Sequence, residues 1–424
     1  MINMNIKKQH EIRPFTQRVY LTSPTMHGDE LDYIKLAFDT NWVSTVGANI
    51  DHVERAFADL FGKQYAVALS SGTAALHMAI RAAAQALYGK PPTCGGSLVG
   101  KRVFCSDLTF AATVNPVIYE GGEPILIDSE PDTWNMDPVA LERAFTMYPE
   151  TRIVVIVHLY GTPAKISELR TVCARHGALL IEDAAESLGA TYAGRPTGSF
   201  GDLGVISFNG NKIITGSCGG MVFTDQKQTM ERIRKWSTQS REPVIWYQHE
   251  ELGYNYRMSN LIAGVIRGQL PYLEAHILEK KRIFQYYQEH LSDLPLSMNP
   301  FDAEASVPNH WLSCILIHPE AMCRQFRNDT ASTYVHTPGK TCPMEILERL
   351  SAINVESRPI WKPMHLQPIY RNYPFVNADG RAETDVGKDI FERGLCLPSD
   401  IKMTPEQMDV IIELIRLCFA EPSY

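Results

Sequence analysis

The chain has 424 residues, 45% of them hydrophobic, enough to bury a large core and to divide into one larger and one smaller domain. Lys and Arg number 40 against 48 Asp and Glu, a formal net charge of −8 with no extended basic run. That balance argues against a nucleic-acid surface while leaving room for a local anion pocket. The 9 cysteines are scattered, odd in number and without a C-x-x-C or metal-like spacing, which points to reduced thiols and no metal centre. The N-terminus lacks the apolar core of a signal peptide, and no apolar run is long enough to span a bilayer. The expectation is a cytoplasmic protein with no membrane partner.

Residues 1–18 are polar and read as a flexible leader. Amphipathic helical patterns follow over Gly28 to Asp39 and Asp51 to Phe61. Between them, Asn41-Trp42-Val43-Ser44 is irregular, with Trp42 either a packing residue or a pocket wall. Tyr65 to Leu69 reads as a buried strand that breaks at Ser70-Ser71-Gly72-Thr73 into a helix over Ala74 to Leu87. Strand, small-residue turn and helix is the geometry in which backbone amides hold a phosphate, although Thr73 serves equally well as a plain N-cap.

Further strands are predicted at Arg102 to Ser106, Glu123 to Asp128, Arg152 to His158 and Ala178 to Glu182, with helical runs between them. This alternation implies an α/β fold: a mostly parallel central sheet covered by helices, with ligand groups at the strands' carboxyl ends. Two candidates stand at such ends. Phe110 is either a ring-stacking aromatic or core, and Asp183 either caps the next helix or faces a ligand.

The stretch Ser207 to Thr215 carries the central signal. A β-like run from Gly204 to Phe208 delivers Lys212 onto a turn of Asn209, Gly210 and Asn211, with the Ser207 hydroxyl five residues earlier. An amine lifted off a strand end beside a hydroxyl suits a Schiff-base lysine next to a phosphate. After a strand over Gly219 to Thr224 and a helix over Lys227 to Ser237 comes the polar aromatic turn Gly253 to Ser259. The long helical stretch Asn260 to His290 follows and should break at Pro271. Residues 19–290 form the expected large domain and 291–424 a smaller α+β one.

A phosphate cup, an aromatic, a carboxylate and a lysine at successive strand ends are what pyridoxal 5'-phosphate (PLP) requires. The motifs N-W-V-S (Asn41–Ser44), S-S-G-T-A-A-L-H (Ser70–His77), T-F-A-A-T-V-N-P (Thr109–Pro116), I-E-D-A-A-E-S-L-G (Ile181–Gly189), S-F-N-G-N-K (Ser207–Lys212) and G-Y-N-Y-R-M-S (Gly253–Ser259) carry a family likeness. The chain resembles the nucleotide-sugar aminotransferases of PLP fold type I, the DegT/DnrJ/StrS family, from about Tyr20 to its C-terminus. The resemblance implies Lys212 as Schiff-base lysine, Asp183 on the pyridine nitrogen and Phe110 stacked on the ring. Gly72, Thr73 and Ser207 would hold the phosphate, and Asn255 would reach it from the other subunit of a homodimer.

Ser129–Pro138, the lysine stretch and Ser240–Pro243 look most like the subgroup that aminates carbon 4 of UDP-4-keto-6-deoxy-N-acetylglucosamine, on routes to bacillosamine-type glycans. Glutamate would be the donor and 2-oxoglutarate the by-product. His365, within P-M-H-L-Q-P, is implied as a substrate contact beside Trp42. Glu186 stands near the ring where many members carry glutamine or histidine, and Cys218 interrupts the glycine return. Segments 88–100 and roughly 319–343 read as insertions.

Alternatives are a dTDP- or GDP-linked or 3-keto substrate, a PLP-dependent sugar dehydratase, and a non-catalytic PLP-binding regulator. The dehydratase chemistry replaces the lysine with histidine, against Lys212. The regulator lacks part of the ring-binding set or carries a DNA-binding module, and neither departure is visible.

Overall fold

In the computed structural model, which describes residues 12–91, 95–381 and 383–420, an eight-stranded sheet organises the chain. Its order is Tyr65–Leu69, Gly220–Thr224, Leu203–Ser207, Leu179–Asp183, Ile153–Val157, Arg102–Ser106, Glu123–Ile127 and Phe375–Val376. Pairing is parallel from Leu203–Ser207 to Phe375–Val376, and antiparallel where Gly220–Thr224 joins its two neighbours. Helices cover both faces, so a central strand such as Ile153–Val157 is buried at every position and can be uninterruptedly apolar. This is the doubly covered α/β sheet that the sequence implies.

The crossovers place the turns after Leu69, Ser106, Val157, Asp183 and Ser207 on one edge of the sheet. Register brings them level: Asp183 pairs with Val157 on one side and with Val205 on the other. A second, antiparallel sheet contains Leu296–Met298, Cys314–Ile317, Gly394–Cys396 and Arg358–Pro359. Its apolar face packs with Ile346 and Leu350, with Ile411 and Ile415, and with Ile283 and Tyr287 of the long helix. That helical stretch breaks as Pro271 requires, into Asn260–Gln269, a 3-10 turn Leu270–Tyr272, and Leu273–His290.

The leader needs correction where it is described. Residues 1–11 lie outside the described residues, but 12–18 are docked rather than loose. The Phe15 amide donates to Ile353 O, Asn354 Nδ2 donates to Phe15 O (both 3.1 Å), and Val19 bridges to Val355 and is buried. Phe15 and Val19 supply the apolar surface that a reading of overall polarity passed over. Residues 92–94 of the first insertion lie outside the described residues. The second insertion forms the hairpin Gln325–Arg327 and Ser332–Tyr334. Among the described residues no helix is long and apolar enough to cross a membrane.

Candidate active site

The phosphate cup is built by strand Tyr65–Leu69 and helix Gly72–Tyr88. Ser71 is the N-cap, its side-chain oxygen accepting from the Ala74 amide at 3.0 Å, so Thr73 is not needed as a cap and lines the cavity. The helix presents the positive end of its dipole to that space, suited to a dianion. Gly72 lies against the lysine-bearing strand: a Cβ there would sit 2.8 Å from Ser207 Cβ, so backbone and hydroxyl converge only because no side chain intervenes.

Opposite stands Asp183, the last residue of its strand and almost fully buried. Oδ2 accepts from the Thr113 hydroxyl at 2.7 Å and Oδ1 from the Ala185 amide at 3.1 Å. Burial pushes its pKa up, with those donors and Lys212 opposing. A buried carboxylate bonded only to neutral donors lacks a cationic partner, which a protonated pyridine nitrogen would supply. Phe110 is 54% exposed, so it is not core; it lines the cavity with its ring 5.3 Å from that of Trp361.

Lys212 rides a loop closed by its own amide on Asn209 O (3.0 Å) and by the Gly216 amide on Phe208 O (2.9 Å). Its Nζ lies 3.7 Å from Glu186 Oε1 and 3.9 Å from the centroid of the Trp311 ring. Burial lowers the lysine pKa, with Glu186 and Asp183 partly restoring it, and burial raises that of Glu186. Glu186 Oε2 accepts from the Tyr160 amide at 2.7 Å, which fixes the carboxyl beside the amine. The two shifts run towards each other, so burial narrows the gap between the amine and the carboxyl.

These groups enclose a cavity of about 260 Å³ that brings together Gly72, Thr73, Phe110, Asp183, Glu186, Ser207 and Lys212. The donors, the carboxylate and the amine fit PLP. When bound, that cofactor supplies an electron sink for the carbon that exchanges the amine.

Trp42, Asn255 and His365 do not line this space. Trp42 is 52% exposed, its carbonyl accepting from Asn260 Nδ2. Asn255 is exposed and bridged to Thr238. His365 is held by two carboxylates, Nδ1 on Asp107 Oδ2 at 2.7 Å and Nε2 on Asp385 Oδ2 at 3.0 Å, and stacks on Phe375. Burial alone would lower its pKa, but the two carboxylates lift it to about 10. With both ring nitrogens engaged by carboxylates, His365 is anchored outside the cofactor cavity.

It borders a neighbouring cavity of about 740 Å³, which Arg327, Lys362, Arg371 and Lys388 also line. Residues that the sequence reading missed include Thr113, Tyr160 and Trp311. Thr113 sits inside the quoted T-F-A-A-T motif, four residues after Thr109, whose hydroxyl it meets at 2.6 Å. Trp311 stands in no motif.

The DegT/DnrJ/EryC1/StrS aminotransferase family description fits residues 24–416. EpsN of Bacillus subtilis (strain 168), named for PLP-dependent aminotransfer, is 38% identical over 407 residues, covering 95% of this chain and 96% of its own. GDP-perosamine synthase of Caulobacter vibrioides is 33% identical over 396 residues, covering 93% and 96%. The crystal structure of DesI with its TDP-sugar product superposes with a TM-score of 0.79 at 27% identity, covering 96% of this chain and 94% of that one. The fold, the cavity and these likenesses agree: the chain belongs to the DegT/DnrJ/EryC1/StrS aminotransferase family and is a PLP-dependent sugar aminotransferase of fold type I.

Proposed function

We propose that the enzyme moves the amine of glutamate to the 4-keto carbon of a UDP-linked 4-keto-6-deoxy-N-acetylhexosamine, for surface polysaccharide or glycan synthesis. The observation that carries a nucleotide-linked substrate is the pairing of two cavities across one loop. Trp361 lines the cofactor cavity, and the next residue, Lys362, lines the larger one. There Arg327, Lys362, Arg371 and Lys388 outnumber the carboxylates Asp329 and Glu392, although Asp329 pairs with Lys362 and Arg371. A sugar held over the cofactor thus has room and positive charge beside it for a diphosphate. Carbon 4 and UDP rest on the motif likeness over Ser129–Pro138 and Ser240–Pro243.

In this reading Lys212 bonds the cofactor and, once released, moves the proton between the carbons that exchange the amine. Asp183 holds the pyridine proton, Phe110 stacks on the ring, and Gly72, Thr73 and Ser207 bind the phosphate. Asn255, exposed and outside the cavity, comes from a second copy of the chain, so the unit is a homodimer with shared sites. Trp42, half exposed near the chain's start, faces substrate. The division into domains 19–290 and 291–424 belongs to the same reading and is supported by the separate second sheet.

A GDP-linked substrate is the second reading, favoured by the likeness to GDP-perosamine synthase. The deciding experiment incubates the enzyme with glutamate, PLP and separate UDP-, dTDP- and GDP-linked keto-sugars, following 2-oxoglutarate and product mass. Preferred turnover of the UDP 4-keto sugar is expected. Preference for a dTDP, GDP or 3-keto sugar overturns the substrate assignment. Loss of turnover with Lys212→Ala is expected, and retained turnover removes Lys212 from its role.

A further inference from the structure

Lys212 does not point its amine into open solvent or into the middle of the cavity; it lies against the face of an indole. Nζ stands 3.9 Å from the Trp311 ring centroid and 3.7 Å from Glu186 Oε1. Trp311 is 1% exposed, and its contacts fix it to the groups that hold the lysine. Its Nε1 donates to the carbonyl of Asn211, the residue before Lys212, at 2.8 Å. Its amide donates to Asn309 Oδ1 at 2.9 Å, while Asn309 Nδ2 donates to the carbonyls of Glu186 and Leu188. One asparagine therefore ties together the backbones of Trp311 and Glu186, whose side chains flank the amine.

That link requires Gly161, which has a left-handed φ of +91° and where a Cβ would fall 1.8 Å from Asn309 Oδ1. On the far side, the Trp311 carbonyl accepts from the buried Lys280 Nζ at 3.1 Å, and Lys280 also donates to Ser399 O and Thr22 Oγ1. Tyr160 stacks along the indole with centroids 6.4 Å apart. These contacts hold the indole beside the lysine from both sides.

We propose that the face of Trp311 is the resting place of the Lys212 amine whenever that amine is not bonded to the cofactor, and that Trp311 is thereby a positioning residue for proton handling at Lys212 Nζ. The inference rests on the reading of Lys212 as the cofactor-bonding lysine. An amine displaced from a cofactor has to be kept close and correctly protonated until it acts. The negative face of an indole attracts an ammonium by about 0.5–2 kcal/mol, more as water is excluded. Trp311 therefore favours the protonated amine against the burial that disfavours it, while Glu186 accepts or returns a proton at the same spot. The position is set by a ring that carries no charge of its own, so the amine remains free to swing back.

The test reads the amine directly in the cofactor-free protein. Lys212 is labelled with trinitrobenzenesulfonate across a pH series, its peptide is quantified by mass spectrometry, and the protonation midpoint is taken from the rate profile. Trp311→Leu should lower the midpoint so that proton affinity falls roughly threefold to thirtyfold. Trp311→Phe, a weaker face without the Nε1 bond, should fall between it and wild type. Unchanged or raised midpoints in folded Trp311→Phe overturn the proposal, and this variant decides the matter if Trp311→Leu does not fold. Borohydride trapping of bound PLP separately identifies the lysine that bonds the cofactor. Trapping on another lysine sinks the reading of Lys212, whereas the midpoints judge the indole contact.

Discussion

Thr113 donates to Asp183 Oδ2 at 2.7 Å, and its own oxygen lies 2.6 Å from that of Thr109. Two hydroxyls in series thus hold the one carboxylate that faces the cavity without a cation. A hydrogen bond to a charged group contributes about 1.5–3 kcal/mol. Thr113→Val keeps the shape and removes the donor, so kcat/KM should fall roughly tenfold to a hundredfold, with Thr113→Ser near wild type. Full activity in Thr113→Val would mean that Asp183 is oriented by its backbone alone.

Glu186→Gln tests the carboxylate beside the amine. Its negative charge favours the ammonium, so its loss should lower the Lys212 protonation midpoint in the cofactor-free protein by about half a unit to one unit. Glutamine can still accept from the Tyr160 amide, so the loop should hold, as circular dichroism would show. A midpoint that moves upward contradicts the charge argument.

His365→Gln separates a strut from a substrate contact. The histidine pKa is raised to about 10 in the folded chain, so its stabilisation is complete below about pH 6.5 and is lost as pH climbs towards 10. Removing it strands the buried Asp107, at a cost of about 3–5 kcal/mol in urea unfolding at pH 6. The difference from wild type should shrink at pH 10. A variant that unfolds normally but loses substrate affinity would restore His365 as a contact.

Lys280 gives the opposite slope. Burial lowers its pKa to about 7, with Asp400 only partly opposing. The unfolded chain therefore binds more protons between about pH 7 and 10.4, and the native state gains stability as pH rises through that window. Relative to Lys280→Met, wild type should gain up to about 1.4 kcal/mol per pH unit from pH 7 to 10. A flat difference across that range would mean that the amine reaches water.

The strand ends were legible in the sequence because one turn follows each apolar run and the residues there are chemically distinctive: Asp183 after L-L-I-E, Lys212 after S-F-N-G-N. Pro271 announced its own break. What stayed hidden depends on contacts between distant segments. Trp311 meets Lys212 only once the second sheet docks on the first, and no local spacing records that approach. His365 carried a family-implied role, but its two carboxylate partners, Asp107 and Asp385, come from separate elements. Exposure decided between alternatives that composition left level, placing Phe110 outside the core.

The edge strand Phe375–Val376 has a consequence for how the molecule is made. It pairs in parallel with Glu123–Ile127, and its neighbours close the edge further, Leu126 N on Pro374 O and Asp128 N on Val376 O at 2.9 Å. During translation the ribosome must release the chain past residue 376 before that edge is covered. Until then Glu123–Ile127 is a bare template for another nascent chain. A gene cut near residue 290 would leave the exposed edge permanently. Soluble yield of such a truncation should collapse, and co-expression of the missing C-terminal part in trans should recover it.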